Sequence, residues 1–245
     1  LAHGVTMDLV GDGNDYVNAA DGGADSIHLG GGDDTVVFGS HMSSADTVQG
    51  DVGTDVLSYN DTSSASGTEL NNVYDIERVL VTGSVNLTLT DSVFSAANAT
   101  VDASGADSLA LNAYAESLSN LLIIGTGAAD SVTLGGGNDT VRFGTDMSAT
   151  DTIHGGSGTD VLVYEDTTGT GDELNNVYDI ESVLVTGAVN LTLTNTVFSE
   201  TAGSVVGSDA TIDASGATSL ILDASAESSS DLLIIGTGAA DSVTL

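Results

Sequence analysis

Aspartates recur in this chain at two fixed separations, and those separations leave few ways to fold it. Asp25 and Asp34, Asp46 and Asp55, Asp130 and Asp139, and Asp151 and Asp160 each lie nine residues apart, while Asp25 to Asp46, Asp34 to Asp55, Asp130 to Asp151 and Asp139 to Asp160 each span 21. Nine residues carry a chain along one short strand and round one turn. Twenty-one bring it back to the same edge one layer further on. The spacing predicts an all-β parallel solenoid, a β-roll or β-helix, with two short strands per coil of about 20 residues. Alternate aspartates then stack on a common edge.

An internal duplication extends this pattern along the chain. Leu121 to Leu134 (LLIIGTGAADSVTL) is repeated at Leu232 to Leu245, and Leu70 to Glu77 (LNNVYDIE) at Leu174 to Glu181. The chain reads as one continuous solenoid segment over 1–245, cut from a longer array, with leading coils over 1–29, one copy over 30–134 and a second over 135–245. The offset between copies is 104 residues at Leu70 and 111 at Leu121, so the second copy holds seven more residues between them. These fall around Glu200 to Asp209 and read as a surface loop, and a smaller deletion falls near Ser64.

Short apolar segments alternate with Gly, Asp, Asn and Ser turns, predicting separate strands at Arg78 to Val81, Val85 to Leu89, Thr100 to Asp102 and Ser108 to Leu111. No window sustains a helical apolar period with caps. Single helical turns at Phe94 to Ala99 and Ala113 to Glu116 are the most that is expected.

Charge decides what such a stack needs. The chain has 36 Asp and Glu, only Arg78 and Arg142 as permanent cations, no Lys, and a formal charge of -34. Self-repulsion on that scale opposes compaction, and protein cations are too few to relieve it. Bound metal ions can. The same charge excludes nucleic acid as a partner. Cys is absent, so no disulfide staples the fold. No run of about 18 apolar residues could cross a bilayer as a helix, and no stretch has the form of a signal peptide.

The candidate metal residues follow from the stacking. Asp15, Asp25, Asp34, Asp46, Asp55, Asp130, Asp139, Asp151, Asp160 and Asp241 form the aspartate set, and the turns beside them carry Gly11, Gly13, Gly30, Gly32, Gly53, Gly135, Gly137, Gly155 and Gly158. Stacked carboxylates supply hard oxygens, and Ca²⁺ takes six to eight of them at about 2.3–2.6 Å. Glycines let a turn aim its backbone carbonyls at one centre. Several Ca²⁺ ions are expected. The turns before Asp25, Asp46, Asp130, Asp151 and Asp241 are poor in glycine, which predicts weak or empty sites there.

The run Gly155 to Val163 (GGSGTDVLV) fills every slot of the pattern G-G-x-G-x-D-x-U-x, with U a large apolar residue, and Gly11 to Val17, Gly30 to Val36 and Gly135 to Val141 come close. These residues resemble the RTX nonapeptide β-roll of bacterial proteins exported through type I secretion. The resemblance covers about a third of the chain. It implies that the first six motif residues form a calcium turn and that U points into the core. The remainder resembles the non-nonapeptide β-helical stretches of large RTX surface-layer and adhesin proteins.

Other constellations are weaker. His3, His28, His41 and His154 lack a shared position across the duplication and ligand spacing. Asp75, Glu77, Asp179 and Glu181 recur in identical contexts and read as solvated turn residues rather than an acid/base pair. No G-x-S-x-G elbow is present. Catalysis is therefore not expected.

The expectation is a calcium-binding structural segment of a secreted, extracellular assembly on a bacterial cell surface, such as a surface layer, matrix filament or adhesin stalk. The alternative is the non-catalytic calcium-folding region of a type I-secreted hydrolase or toxin. Self-association into a sheet or filament and calcium-mediated contact with cell-surface polysaccharide are the expected partnerships, without membrane insertion.

Overall fold

Valine, leucine and isoleucine alternate with Thr, Ser and Asn through most of the chain, a pattern that suits a pleated strand with one face buried. The computed structural model describes residues 4–9, 11–61, 67–165, 171–194, 196–198, 209–228 and 231–245. The deletion near Ser64, residues 200–208 of the loop read at Glu200 to Asp209, and His3 lie outside the described residues, and Asp209 begins a strand.

The described residues contain strands and turns and no helix, and every strand pair is parallel. Two faces alternate along the chain. On the first face the register runs Val17, Val36, Leu57, Val79, Val101, Ile123, Val141, Leu162, Val183 and Ile212, each hydrogen-bonded into the next coil. On the second, Ile27, Val48 and Val73 form one run, and Leu111, Val132, Ile153 and Val177 form another.

All of these side chains are buried between the two faces. Each fully buried Val, Leu or Ile contributes about 1.5–3 kcal/mol relative to exposure, so the interior is a stack of nearly equal layers. Phe38 and Tyr59 in the first copy, and Phe143 and Tyr164 in the second, are buried in the same interior.

Two expectations need correction. Arg78–Thr90 and Asn98–Ala115 are each one strand, of 13 and 18 residues, where separate short strands were expected, and Ser182–Thr194 repeats the first of them in the second copy. The chain turns the corner without leaving the extended state, through register shifts beside Gly83 (φ 88°) and Gly187 (φ 86°). A glycine bulge bends the strand and keeps its ladder intact on either side, so no turn is needed. The single helical turns also do not form: Ala113 to Ala115 end the second long strand, residues 94–97 are irregular backbone and bend, and 98–99 begin that strand.

Candidate metal centre

At Asp15, Asp34, Asp55 and Glu77, and again at Asp139, Asp160 and Glu181, the chain passes from the second face to the first, and there the carboxylates line up. The backbone N–H of Asp15 donates to Oδ1 of Asp34 at 2.7 Å, that of Asp34 to Oδ1 of Asp55 at 2.9 Å, and that of Asp55 to Oε2 of Glu77 at 2.7 Å. The second copy repeats the row, with Leu121 donating to Asp139 (2.7 Å), Asp139 to Asp160 (2.8 Å) and Asp160 to Glu181 (2.6 Å). The 21-residue stacking read from the aspartate spacing is present in both copies.

Asp34, Asp55, Glu77, Asp139, Asp160 and Glu181 each give one carboxylate oxygen to the coil before, while Asp15, at the head of the first row, is exposed. The other oxygen of Asp34, Asp55, Asp139 and Asp160 is buried and has no hydrogen-bond partner. These residues are at most 1% exposed. An orphaned buried acceptor costs about 1–3 kcal/mol, more when charged, so a pair of them in each row calls for a compensating cation. Burial pushes the carboxyls of Asp55 and Asp139 up to about 6 and that of Asp160 up to about 8, and it raises Glu77 as well. Like charges in the same rows add to the effect. A bound divalent ion reverses that tendency and holds the carboxylates ionised.

The glycines make room for this. A Cβ on Gly155 would lie 1.9 Å from the carbonyl oxygen of Asp179 and 2.8 Å from Oδ2 of Asp160, and Gly50 is equally tight against Asp75 and Asp55. Gly158 has φ 144° and would place its Cβ 1.7 Å from the carbonyl oxygen of Gly137. Gly30, Gly32, Gly53, Gly135 and Gly137 also pack directly on neighbouring backbone. Gly11 and Gly13 have open space around them.

The opposite edge is built differently. Asp25, Asp46, Asp130, Asp151 and Asp241 also accept backbone N–H groups from the coil before, at 2.7–3.2 Å. Here hydroxyl residues take up further carboxylate capacity. Ser43 gives its N–H and hydroxyl to Oδ2 of Asp46, and Ser148 does the same to Asp151. Thr126 caps Asp130 and Thr237 caps Asp241 through both groups. The glycine-poor turns at Asp46, Asp130, Asp151 and Asp241 are therefore hydroxyl-capped turns, and the turn at Asp25 carries no such cap.

Glu77, Glu181 and Asp179 differ from the solvated turn residues expected. Both glutamates accept an aspartate N–H and continue the rows, and Asp179 is 2% exposed. Asp75 and Asp179 take left-handed backbone at φ 54° and 58°, which aspartate tolerates better than most residues. The signal was present: Glu181 stands 21 residues after Asp160, and Glu77 stands 22 after Asp55.

Both arginines are engaged elsewhere, Arg78 with Asp102 at 2.6 Å and Arg142 with Glu165 through two bonds of 2.9 Å. His28 bridges Asp8 and Asp51, the latter contact chiefly raising its pKa, and His154 stacks on Tyr178 with ring centroids 4.6 Å apart. Among the described residues no three histidine or acidic side chains converge into a cage. The carboxylates form ladders, so an ion seated there draws its remaining oxygens from the turn backbone.

A parallel solenoid whose glycine turns carry rows of half-satisfied buried carboxylates is the architecture of a calcium-binding repeat. The family profile for the RTX calcium-binding nonapeptide repeat matches in four copies over residues 10–40, 122–146 and 148–166, and those segments carry RTX-type calcium-binding repeats. No curated protein and no solved structure matches it.

Proposed function

We propose that the chain is a calcium-stabilised structural segment of an extracellular bacterial assembly, a surface layer, matrix filament or adhesin stalk, and that its ions lie along the glycine edge. The observation that carries this reading is the set of unpartnered buried oxygens on Asp34, Asp55, Asp139 and Asp160. The glycine turns and both glutamate-ended rows would hold the ions. Calcium supplies the positive charge that the chain lacks.

Linkage makes this a folding device. An ion that binds only the folded turns stabilises them by about 2.7 kcal/mol per site at a hundredfold excess over Kd. The repulsive chain stays unfolded where calcium is scarce and folds where it is abundant, outside the cell. Neither arginine is available as a catalytic base, which favours a structural role. No described helix is long and apolar enough to cross a membrane.

Far-UV circular dichroism with calcium and with chelator tests the folding claim: β signal that survives complete calcium removal at neutral pH sinks it. Electron micrographs in millimolar calcium test the assembly claim, with sheets or filaments expected. Monodisperse particles would point instead to a calcium-folding region belonging to a secreted hydrolase or toxin.

A further inference from the structure

We infer that the second carboxylate row begins one coil before its nonapeptide repeats, at a divalent-cation site formed by Glu116, Ser119 and Asp139. The inference rests on the calcium reading above. The repeat match in this part of the chain starts only at residue 122. The turn Glu116-Ser117-Leu118-Ser119-Asn120 contains no glycine, and Leu121 stands in register with Asp139, where the row would otherwise carry an aspartate.

The turn nevertheless lies flat on the glycine turn of the next coil. The carbonyl oxygen of Glu116 accepts the N–H of Gly136 at 3.0 Å and would lie 2.0 Å from a Cβ on Gly135. The carbonyl oxygen of Ser119 would lie 2.4 Å from a Cβ on Gly137. Glycines in the second turn therefore admit the backbone of the first.

Glu116 replaces the missing aspartate from the other end of the turn. It is 0% exposed, and its Oε1 accepts the N–H groups of Leu118 and Ser119 at 3.1 and 3.0 Å. Its Oε2 has no partner. The hydroxyl of Ser119, also 0% exposed, has none either, and neither does Oδ2 of Asp139 on the adjoining turn. Two carboxylates and a hydroxyl, all buried and all oxygen, make the donor set of a hard divalent cation. A chain with this charge would pay heavily to leave them unfilled.

Equilibrium dialysis with radioactive calcium, read alongside far-UV circular dichroism, tests the site on the intact chain. Glu116→Gln is expected to bind one ion fewer than wild type, Ser119→Ala to weaken the same ion, and Asp151→Asn, on the hydroxyl-capped edge, to leave the count unchanged. Wild-type stoichiometry and affinity in folded Glu116→Gln and Ser119→Ala would overturn the inference. If Glu116→Gln does not fold, Ser119→Ala decides alone. A wild-type chain that binds no calcium would instead overturn the function on which the inference rests.

Discussion

The N–H of Asp160 donates to Oε2 of Glu181 at 2.6 Å, so a glutamate outside the nonapeptide pattern receives the last rung of a row that the aspartates build. Glu181→Ala removes that acceptor and leaves a buried N–H unpaired. The expected loss is about 1–3 kcal/mol at saturating calcium, measured by denaturant unfolding, with Glu181→Gln milder because its amide oxygen can still accept. A neutral Glu181→Ala would show that the row ends at Asp160.

Gly155→Ala drives a methyl group into the Asp179 carbonyl, whereas Gly13→Ala meets nothing within 4 Å. The first is expected to cost about 1–3 kcal/mol or to prevent folding, and the second to stay within about 0.5 kcal/mol of wild type. Thermal unfolding of the two variants side by side checks the contrast. Equal effects would mean that the turns are not packed coil on coil.

Acid should help the metal-free protein. The folded carboxyls of Asp55 and Asp139 titrate near 6 and that of Asp160 near 8, against 3.8 for the free side chain, so the folded state binds more protons across this interval. Their contribution to stability is fully present below about pH 4 and is lost as the pH rises through 6 to 8. In chelator, β structure and denaturation midpoint should therefore rise as the pH is lowered from 8 to 5, and saturating calcium should flatten that dependence. Stability that falls with acid over the same range would contradict the burial of these carboxyls.

The two edges should answer differently to amide substitution. Asp160→Asn removes a buried charge that only a cation can satisfy, so the chelated protein is expected to gain stability while its response to calcium shrinks. Asp151→Asn breaks the cap made by Ser148 and should cost about 1 kcal/mol whether or not calcium is present. Unfolding curves with and without calcium for both variants check this. Matching calcium responses would remove the distinction between the edges.

The aspartate spacing made the solenoid legible because a strand ladder fixes the return distance of the chain. Thr35 pairs with Val56 and Thr140 with Val161 at the separation that divides Asp34 from Asp55 and Asp139 from Asp160. The unbroken strand through Gly83 was not legible, since a glycine between two alternating segments reads equally as a turn or as a bulge. Glu77 and Glu181 escaped because the nonapeptide pattern asks for aspartate, while a row asks only for a carboxyl oxygen at the right height. The hydroxyl caps escaped for the opposite reason: Ser43-Ser44-Ala45-Asp46 looks like a decayed glycine turn until Ser43 is seen bonding Asp46.

The first-face ladder joins residues one coil apart, from Val17 to Val36 at one end and from Val183 to Ile212 near the other. A chain wired this way closes short loops, of 19 residues from Val17 to Val36 and 29 from Val183 to Ile212, and because closure entropy grows only slowly with length each closure costs about the same as the one before. Such connectivity suits folding as a zipper, each new coil adding to one already formed. On the proposed function, a calcium-loaded turn in either glycine row is the natural seed.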